Sequence, residues 1–308
     1  MNSSQTDTVA VSAPALDPGL RRRGVILVAA AAICWSSGGA IARMIEADAW
    51  TTVFWRSAFG ALALFAYLLW RDRGRTFTLF REMGWPGVAV AVCFATASTS
   101  FVYALTLTTV ANILIIQSTA PFVAAVLARF LLNERVRLQG WITILVALAG
   151  VTIMVSDSVS RGSFVGDILA GLIALSFSTA VVIVRRHSEV RMTPAACLAA
   201  VFAGLVALPL AAPLSPSAED MAFLALFGAG QLGIGLVLFV TGTRLIPAAE
   251  AALLSVLETI LGPIWVWLFF AENPGERAIL GGLIVLAALI VHTAMDLHRH
   301  YRAVPPPA

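Results

Sequence analysis

Arg56 and Glu258 stand out because each is a charge inside a long apolar run, in TTVFWRSAFGALALF and AALLSVLETILGPIWVW respectively. A charge in hydrocarbon costs ~2.5–3.5 kcal/mol on insertion scales, so it faces a cavity, a partner or a ligand. At about 1.5 Å per helical residue, Arg56 lies about 9 Å below the outer end of its run and Glu258 about 18 Å below its own. The difference of roughly 9 Å can be bridged by two long side chains or by a ligand between them. Three roles fit: ligand binding, a static charge pair, or an arginine that locks helices through backbone carbonyls.

Weaker candidates surround these two. Thr96, Ser100 and Tyr103 share one helical face by their i, i+4, i+7 spacing. Asn112 and Gln117 are amides in the next run, and Gln231 lies among Gly228, Gly230, Gly233 and Gly235. Trp35 beside Ser36-Ser37 and Phe177 beside Ser178-Thr179 fall at matching places in the first and sixth runs. Such groups either line a wet cavity or make helix–helix hydrogen bonds. Aromatics beside hydroxyls at mid-depth suit an amphipathic solute, and a lipid-facing Trp gives the same pattern. The glycines point to close helix approach. Glu250, about a turn inside its run, is expected to reach water. Glu134 and Glu272 fall at junctions where a carboxylate caps the following helix. His292 reads as a satisfied core histidine.

Other chemistry is excluded. The 20 basic residues are all Arg, so neither a Schiff-base lysine nor a phosphate-binding G-x-x-x-x-G-K-[ST] loop is available. Cys34, Cys93 and Cys197 lack C-x-x-C spacing and read as small buried hydrophobes, with no disulfide or metal role. There is no H-E-x-x-H, no G-x-S-x-G and no carboxylate pair within a run. No enzyme activity, cofactor, metal or nucleic-acid partner is expected.

The elements that must position these residues are membrane spans. The chain is 59% apolar and 12% charged, with mean hydropathy +0.90, against roughly 25% charged for soluble domains. A spanning helix needs about 20 apolar residues. Runs suited to this lie at 24–41, 50–70, 85–107, 109–131, 139–156, 166–184, 192–212, 221–243, 247–270 and 278–296. The fold class is therefore an all-α integral membrane protein of ten transmembrane helices, with tails at 1–20 and 298–308. With the N-terminus in the cytosol, inner segments hold 16 of the arginines and outer segments only Arg43, Arg161 and Arg277. This asymmetry places both termini in the cytosol.

The chain also repeats itself. Shifted by 138 positions, Phe101, Val102, Leu107, Ala111 and Glu134 fall on Phe239, Val240, Leu245, Ala249 and Glu272; a shift of 142 also pairs Pro121 with Pro263 and Glu134-Arg135 with Glu276-Arg277. Residues 21–157 and 158–297 thus form two five-helix halves, and an odd number per half turns the second copy upside down. Inverted repeats of this kind carry a midplane site between halves that alternate in access.

Ten spans in two inverted halves resemble the EamA-type permeases of the drug/metabolite transporter superfamily. Further points of likeness are Trp35-Ser36-Ser37, Arg56, Pro121 with Glu134 and Gly150-Val151, and Leu257-Glu258 with Glu272. Two departures are Glu258-Thr259, where that family has Glu-Pro, and Ala288-Leu289, where it has Gly-Val. The resemblance implies a bacterial inner-membrane permease with a central cavity and peripheral fifth and tenth spans. Its partners would be a small-molecule substrate and the lipid bilayer, with a homodimer compatible. The expected activity is alternating-access transport of a small polar or amphipathic metabolite, with export of an amino acid or related compound first, uptake second, and an intramembrane enzyme or sensor last.

Overall fold

The computed structural model describes residues 18–105, 107, 113, 116–134, 136–155, 164–270 and 276–303. Asn112, Glu272 and most of the two expected tails lie outside them. Among the described residues all regular structure is helical. In chain order the helices are α1 (Pro18–Ser36), α2 (Gly38–Ala42), α3 (Ala49–Asp72), α4 (Thr76–Glu82), α5 (Gly84–Leu105), α6 (Ala120–Leu131) and α7 (Leu138–Val155). There follow α8 (Phe164–Arg186), α9 (Thr193–Ala207), α10 (Ala218–Ala225), a π-helical stretch (Leu226–Ile234), α11 (Gly235–Thr243), α12 (Ala248–Ser255), α13 (Leu257–Phe270) and α14 (Glu276–Ala303).

Among the described residues, seven helical stretches are long and apolar enough to cross a membrane. Three shorter apolar helices, Ala120–Leu131, Leu138–Ile153 and Ile279–His292, fall where the fourth, fifth and tenth spans were expected. The protein is an all-α, multi-pass membrane protein. Its outer surface is apolar, with Leu62, Trp70, Leu205, Leu268 and Leu283 exposed, as lipid contact requires.

The caps follow from local sequence. Asp48 accepts hydrogen bonds from the Trp50 and Thr51 amides at 2.9 and 3.1 Å, which starts α3. Burial raises the Asp48 carboxyl, but these hydrogen bonds outweigh it and hold the group below its ordinary value. Ser217 and Asp220 form a capping box ahead of α10. Pro121 and Pro194 sit in first turns, where a missing amide costs nothing. Two expected tails are shorter than composition suggests: helix begins at Pro18 and continues to Ala303.

Among the described residues the helical ladder is irregular at four places: at Ser37 between α1 and α2, at Ser118–Thr119 ahead of α6, at Val256 between α12 and α13, and in the π-helical stretch. At Ser37, Thr119 and Val256 the backbone stays helical while the amide bonds three residues back, so the axis runs on.

Packing is mostly between the two sequence halves. α1 lies on α11, α12 and α13; α3 on α9 and the π-helical stretch; α5 on α8 and α9; α6 on α8 and α12; α7 on α14. The pattern survives exchange of the halves: first-on-eighth matches sixth-on-third, and second-on-eighth matches seventh-on-third. Small residues allow this closeness. A methyl group on Gly242 would stand 2.9 Å from the Gly24 carbonyl oxygen and 2.8 Å from Val28. The largest core cluster joins Val28, Trp35, Leu64, Phe94, Val181, Leu236 and Phe239. A second joins Ile144, Ala147 and Val151 to Val285 and Leu289, so α7 and α14 form a peripheral pair. His292 contacts Thr143 Oγ1 at 3.2 Å across it, as a satisfied core histidine should.

One end of the bundle gathers ion pairs. Arg21 donates to both Glu250 oxygens at 2.9 and 2.7 Å, with both side chains about 95% buried. Arg185 Nε meets Glu134 at 2.9 Å, and Arg191 pairs with Asp72. Each pair joins residues from opposite halves. One expectation fails here. Glu250 is buried rather than in water, because α1 packs beside α12. Glu134 also pairs with Arg185 across the halves. The opposite end is tied by Glu46 N to Asp220, by Ala212 N to Thr51 Oγ1, and by Trp55 Nε1 to the Pro213 carbonyl.

Candidate functional site

Arg56, in α3, is half-buried and turned toward the eighth span. Its Nη2 donates to Gln231 Oε1 at 3.1 Å, its Nη1 approaches Ser98 Oγ at 3.4 Å, and its guanidinium lies 4.4 Å from the centre of the Phe227 ring. Such stacking favours a cation most where water is excluded. Its Nε is buried and has no hydrogen-bond partner among the described residues.

Gln231 is the hub. It is 6% exposed, and its Nε2 donates to the Trp35 carbonyl at 3.0 Å. One amide thus links α3, the π-helical stretch and the last turn of α1. π-bulges relocate a side chain relative to a regular helix and recur at functional sites. Gly228 makes the approach possible, since a methyl group there would stand 2.7 Å from Phe59 Cβ and press on the Arg56 carbonyl.

Glu258 lies in the first turn of α13, just past the irregular turn at Val256, and is half-buried. It shares an electrostatic interaction with Arg56, but no ion pair or hydrogen bond holds it among the described residues. α13 is fixed against the first span by Trp265 Nε1, which donates to Ser36 Oγ at 2.7 Å. Ser36 is buried and donates to the Ile33 carbonyl at 2.6 Å.

The aromatic candidates share one place. Trp35 packs on Phe239 (4.9 Å between centroids) and Phe177 (6.4 Å), and Phe94 closes the group at 6.1–6.2 Å from Phe177 and Phe239. Trp35 is therefore in the core and does not face lipid. The third-span face divides: Ser100 is buried, Thr96 is half-buried, and Tyr103 is 42% exposed against Trp50. From that helix it is Ser98, unremarked in the sequence, that reaches Arg56. Gln117 lies just ahead of α6, with its Oε1 buried and unbonded among the described residues. Cys34, Cys93 and Cys197 are free thiols. Among the described residues no group of His, Cys, Asp and Glu could hold a metal ion.

A half-buried arginine held against a π-helical stretch, inside a lipid-facing helical shell, fits a membrane transport protein. The chain belongs to the EamA-like transporter family, whose profile matches it twice, over residues 22–156 and 164–294. It is thus a secondary transporter of small molecules rather than an enzyme. It is similar to the S-adenosylmethionine uptake transporter of Rickettsia prowazekii (strain Madrid E), with 24% identity over 62% of this chain and 66% of that one. It is also similar to the pseudopaline exporter CntI of Pseudomonas aeruginosa (strain UCBPP-PA14), with 25% identity over 88% of this chain and 96% of that one. A solved crystal structure shares the fold at a TM-score of 0.77 and 19% identity, covering 88% of this chain and 98% of the other.

Proposed function

We propose that the chain is a ten-helix permease of two inverted five-helix repeats, 21–157 and 158–297, with both termini in the cytosol. It carries a small polar or amphipathic metabolite by alternating access between these halves. The observation that carries this reading is the exchange symmetry of the packing, in which contacts between halves recur with the halves swapped. The double match to the family profile supports it. So does the grouping of Asp72, Arg185, Arg191 and Arg244 at one end, where arginine distribution puts the cytosol.

In this reading Arg56, Gln231 and Glu258 form the midplane site, beside Trp35, Ser36 and Phe177. The three ion pairs between halves close its cytosolic side. Export is the proposed direction, favoured by the exporter relative that matches nearly end to end. Uptake is the second reading, favoured by the Rickettsia transporters. The test compares metabolites inside and outside cells with and without the protein, followed by flux of the differing compounds into liposomes. Export predicts that the compounds accumulate outside expressing cells. Equal distributions together with inactive liposomes would refute transport by this chain.

A further inference from the structure

We propose that Arg71, Arg191 and Arg244 form a binding site for one phosphate-sized oxyanion at the arginine-rich end of the bundle. The three line a single cavity of about 100 Å³, together with Met192, Thr193, Val240 and Thr241. Among the described residues no carboxylate lines it. Asp72, Glu82 and Glu189 instead line a neighbouring cavity of about 260 Å³ with Arg75, and Arg191 borders that one too. Arg191 thus stands between a space of mixed charge and a space whose charges are all positive. The site is separate from Arg56: Arg71 lies 15 positions further along α3, about 22 Å at about 1.5 Å per residue.

Each guanidinium is held by one nitrogen and has others to spare. Arg71 Nη1 donates to the Tyr67 hydroxyl, Arg191 Nη1 to Asp72, and Arg244 Nε to the Ser188 carbonyl. Their remaining nitrogens make no hydrogen bond among the described residues. Asp72 and Glu189 offset part of the charge, Asp72 at Arg191 and Glu189 at Arg244. Three cations against two anions leave an excess, and like charges in partly buried surroundings repel. Arg244 registers this: burial lowers its pKa, Glu189 raises it and Arg191 lowers it again. An anion in the cavity relieves the repulsion and meets the spare donors.

Size and shape set the class of ligand. The cavity is several times the ~30 Å³ share of one water and well below the about 300–1,000 Å³ of sites for drug-sized molecules. One arginine fork suffices for a carboxylate, whereas forks from three segments suit the tetrahedral oxygens of phosphate or sulfate. Phosphate can arrive from solution or as a lipid headgroup. Arg71 is exposed, and so is Trp70, whose ring lies 6.4 Å from that of Tyr67; exposed aromatics of this kind sit at headgroup level. Arg71 falls in the first family-profile match and Arg191 and Arg244 in the second, so a bound anion also ties the two halves together.

The test measures thermal stabilisation of the purified, delipidated full-length protein in a non-ionic detergent. Sodium phosphate and sodium sulfate are compared with sodium chloride at equal ionic strength. A ligand of the folded state raises the melting temperature with its concentration, so phosphate and sulfate should raise it saturably where chloride does not. Arg71→Gln and Arg244→Gln should each raise the half-maximal phosphate concentration about tenfold or more. Arg137→Gln, exposed near Glu134 and outside the cavity, should leave it unchanged. Because Arg71 is exposed, Arg71→Gln keeps the fold, and each variant's unliganded melting temperature checks this. A second arm uses phosphatidylcholine nanodiscs with and without phosphatidylglycerol. A lipid source predicts that phosphatidylglycerol stabilises the parent more than Arg71→Gln and removes the phosphate response; a soluble source predicts that the response persists in both membranes.

No stabilisation by phosphate or sulfate beyond that of chloride would overturn the assignment, as would a parent-like response in both Arg71→Gln and Arg244→Gln. An equal loss in Arg137→Gln would also overturn it, since that marks general screening of the arginine-rich end.

Discussion

Glu250→Gln is the most informative single perturbation outside the proposed site. Arg21 and Glu250 are joined by two hydrogen bonds of 2.9 and 2.7 Å, and both side chains are about 95% buried. Removing one partner of a buried pair typically costs about 3–5 kcal/mol, because the remaining charge stays desolvated. If the pair exists only while the cytosolic side is closed, that cost falls on the closed state alone. In the open state Arg21 meets water. At about 1.4 kcal/mol per tenfold, even 3 kcal/mol moves the closed-to-open ratio by about a hundredfold. The readout is a single cysteine at Thr241, which borders a cavity at the arginine-rich end with Arg71, Met192 and Arg244. With Cys34, Cys93 and Cys197 replaced, an impermeant maleimide applied from the cytosolic face should label it at least tenfold faster in Glu250→Gln. A control cysteine at Ser217 should slow or stay unchanged. The swap Arg21→Glu with Glu250→Arg should bring both rates back toward the parent. A lower melting temperature with unchanged labelling would mean that the pair is static, and would refute its role as a closure.

Three further outcomes are expected. Cysteines at Ser4 and Ser217 should label from opposite sides of the membrane, and equal labelling from outside would contradict the inverted repeat. Val146→Leu, at a 38% exposed site, should leave stability and transport unchanged. Val285→Leu should cost about 1–3 kcal/mol by overpacking, because Val285 is fully buried and meets the space above Gly150. Its substrate affinity should survive, and a loss of affinity in folded protein would put the tenth span on the transport path. Gly228→Ala should abolish transport by pushing the eighth span off Phe59 and Arg56, whereas Gly39→Ala, with open space above it, should transport normally. Normal flux in Gly228→Ala would separate that contact from the site.

Hydropathy made the membrane class and the apolar stretches legible, because exclusion of charge from hydrocarbon acts on each segment separately. The same local cost singled out Arg56 and Glu258, which need no knowledge of neighbours to look out of place. Partnership was a different matter. Gln231 and Arg56 are 175 residues apart, and Arg21 and Glu250 are 229 apart; only the crossing of halves brings them together. Sequence spacing identified a polar face of Thr96, Ser100 and Tyr103, but the rotation of α5 against α3 turns Ser98 to Arg56. Glu250, read by depth alone, belonged in water; the neighbouring helix supplied an arginine and buried it. The helical irregularities at Ser37 and Val256 and the π-helical stretch around Gln231 were not read from the sequence, although Ser36-Ser37-Gly38-Gly39 and the glycines from Gly228 to Gly235 lie at two of them. Near the first, Gln231 Nε2 meets the Trp35 carbonyl, a partner that only packing supplies.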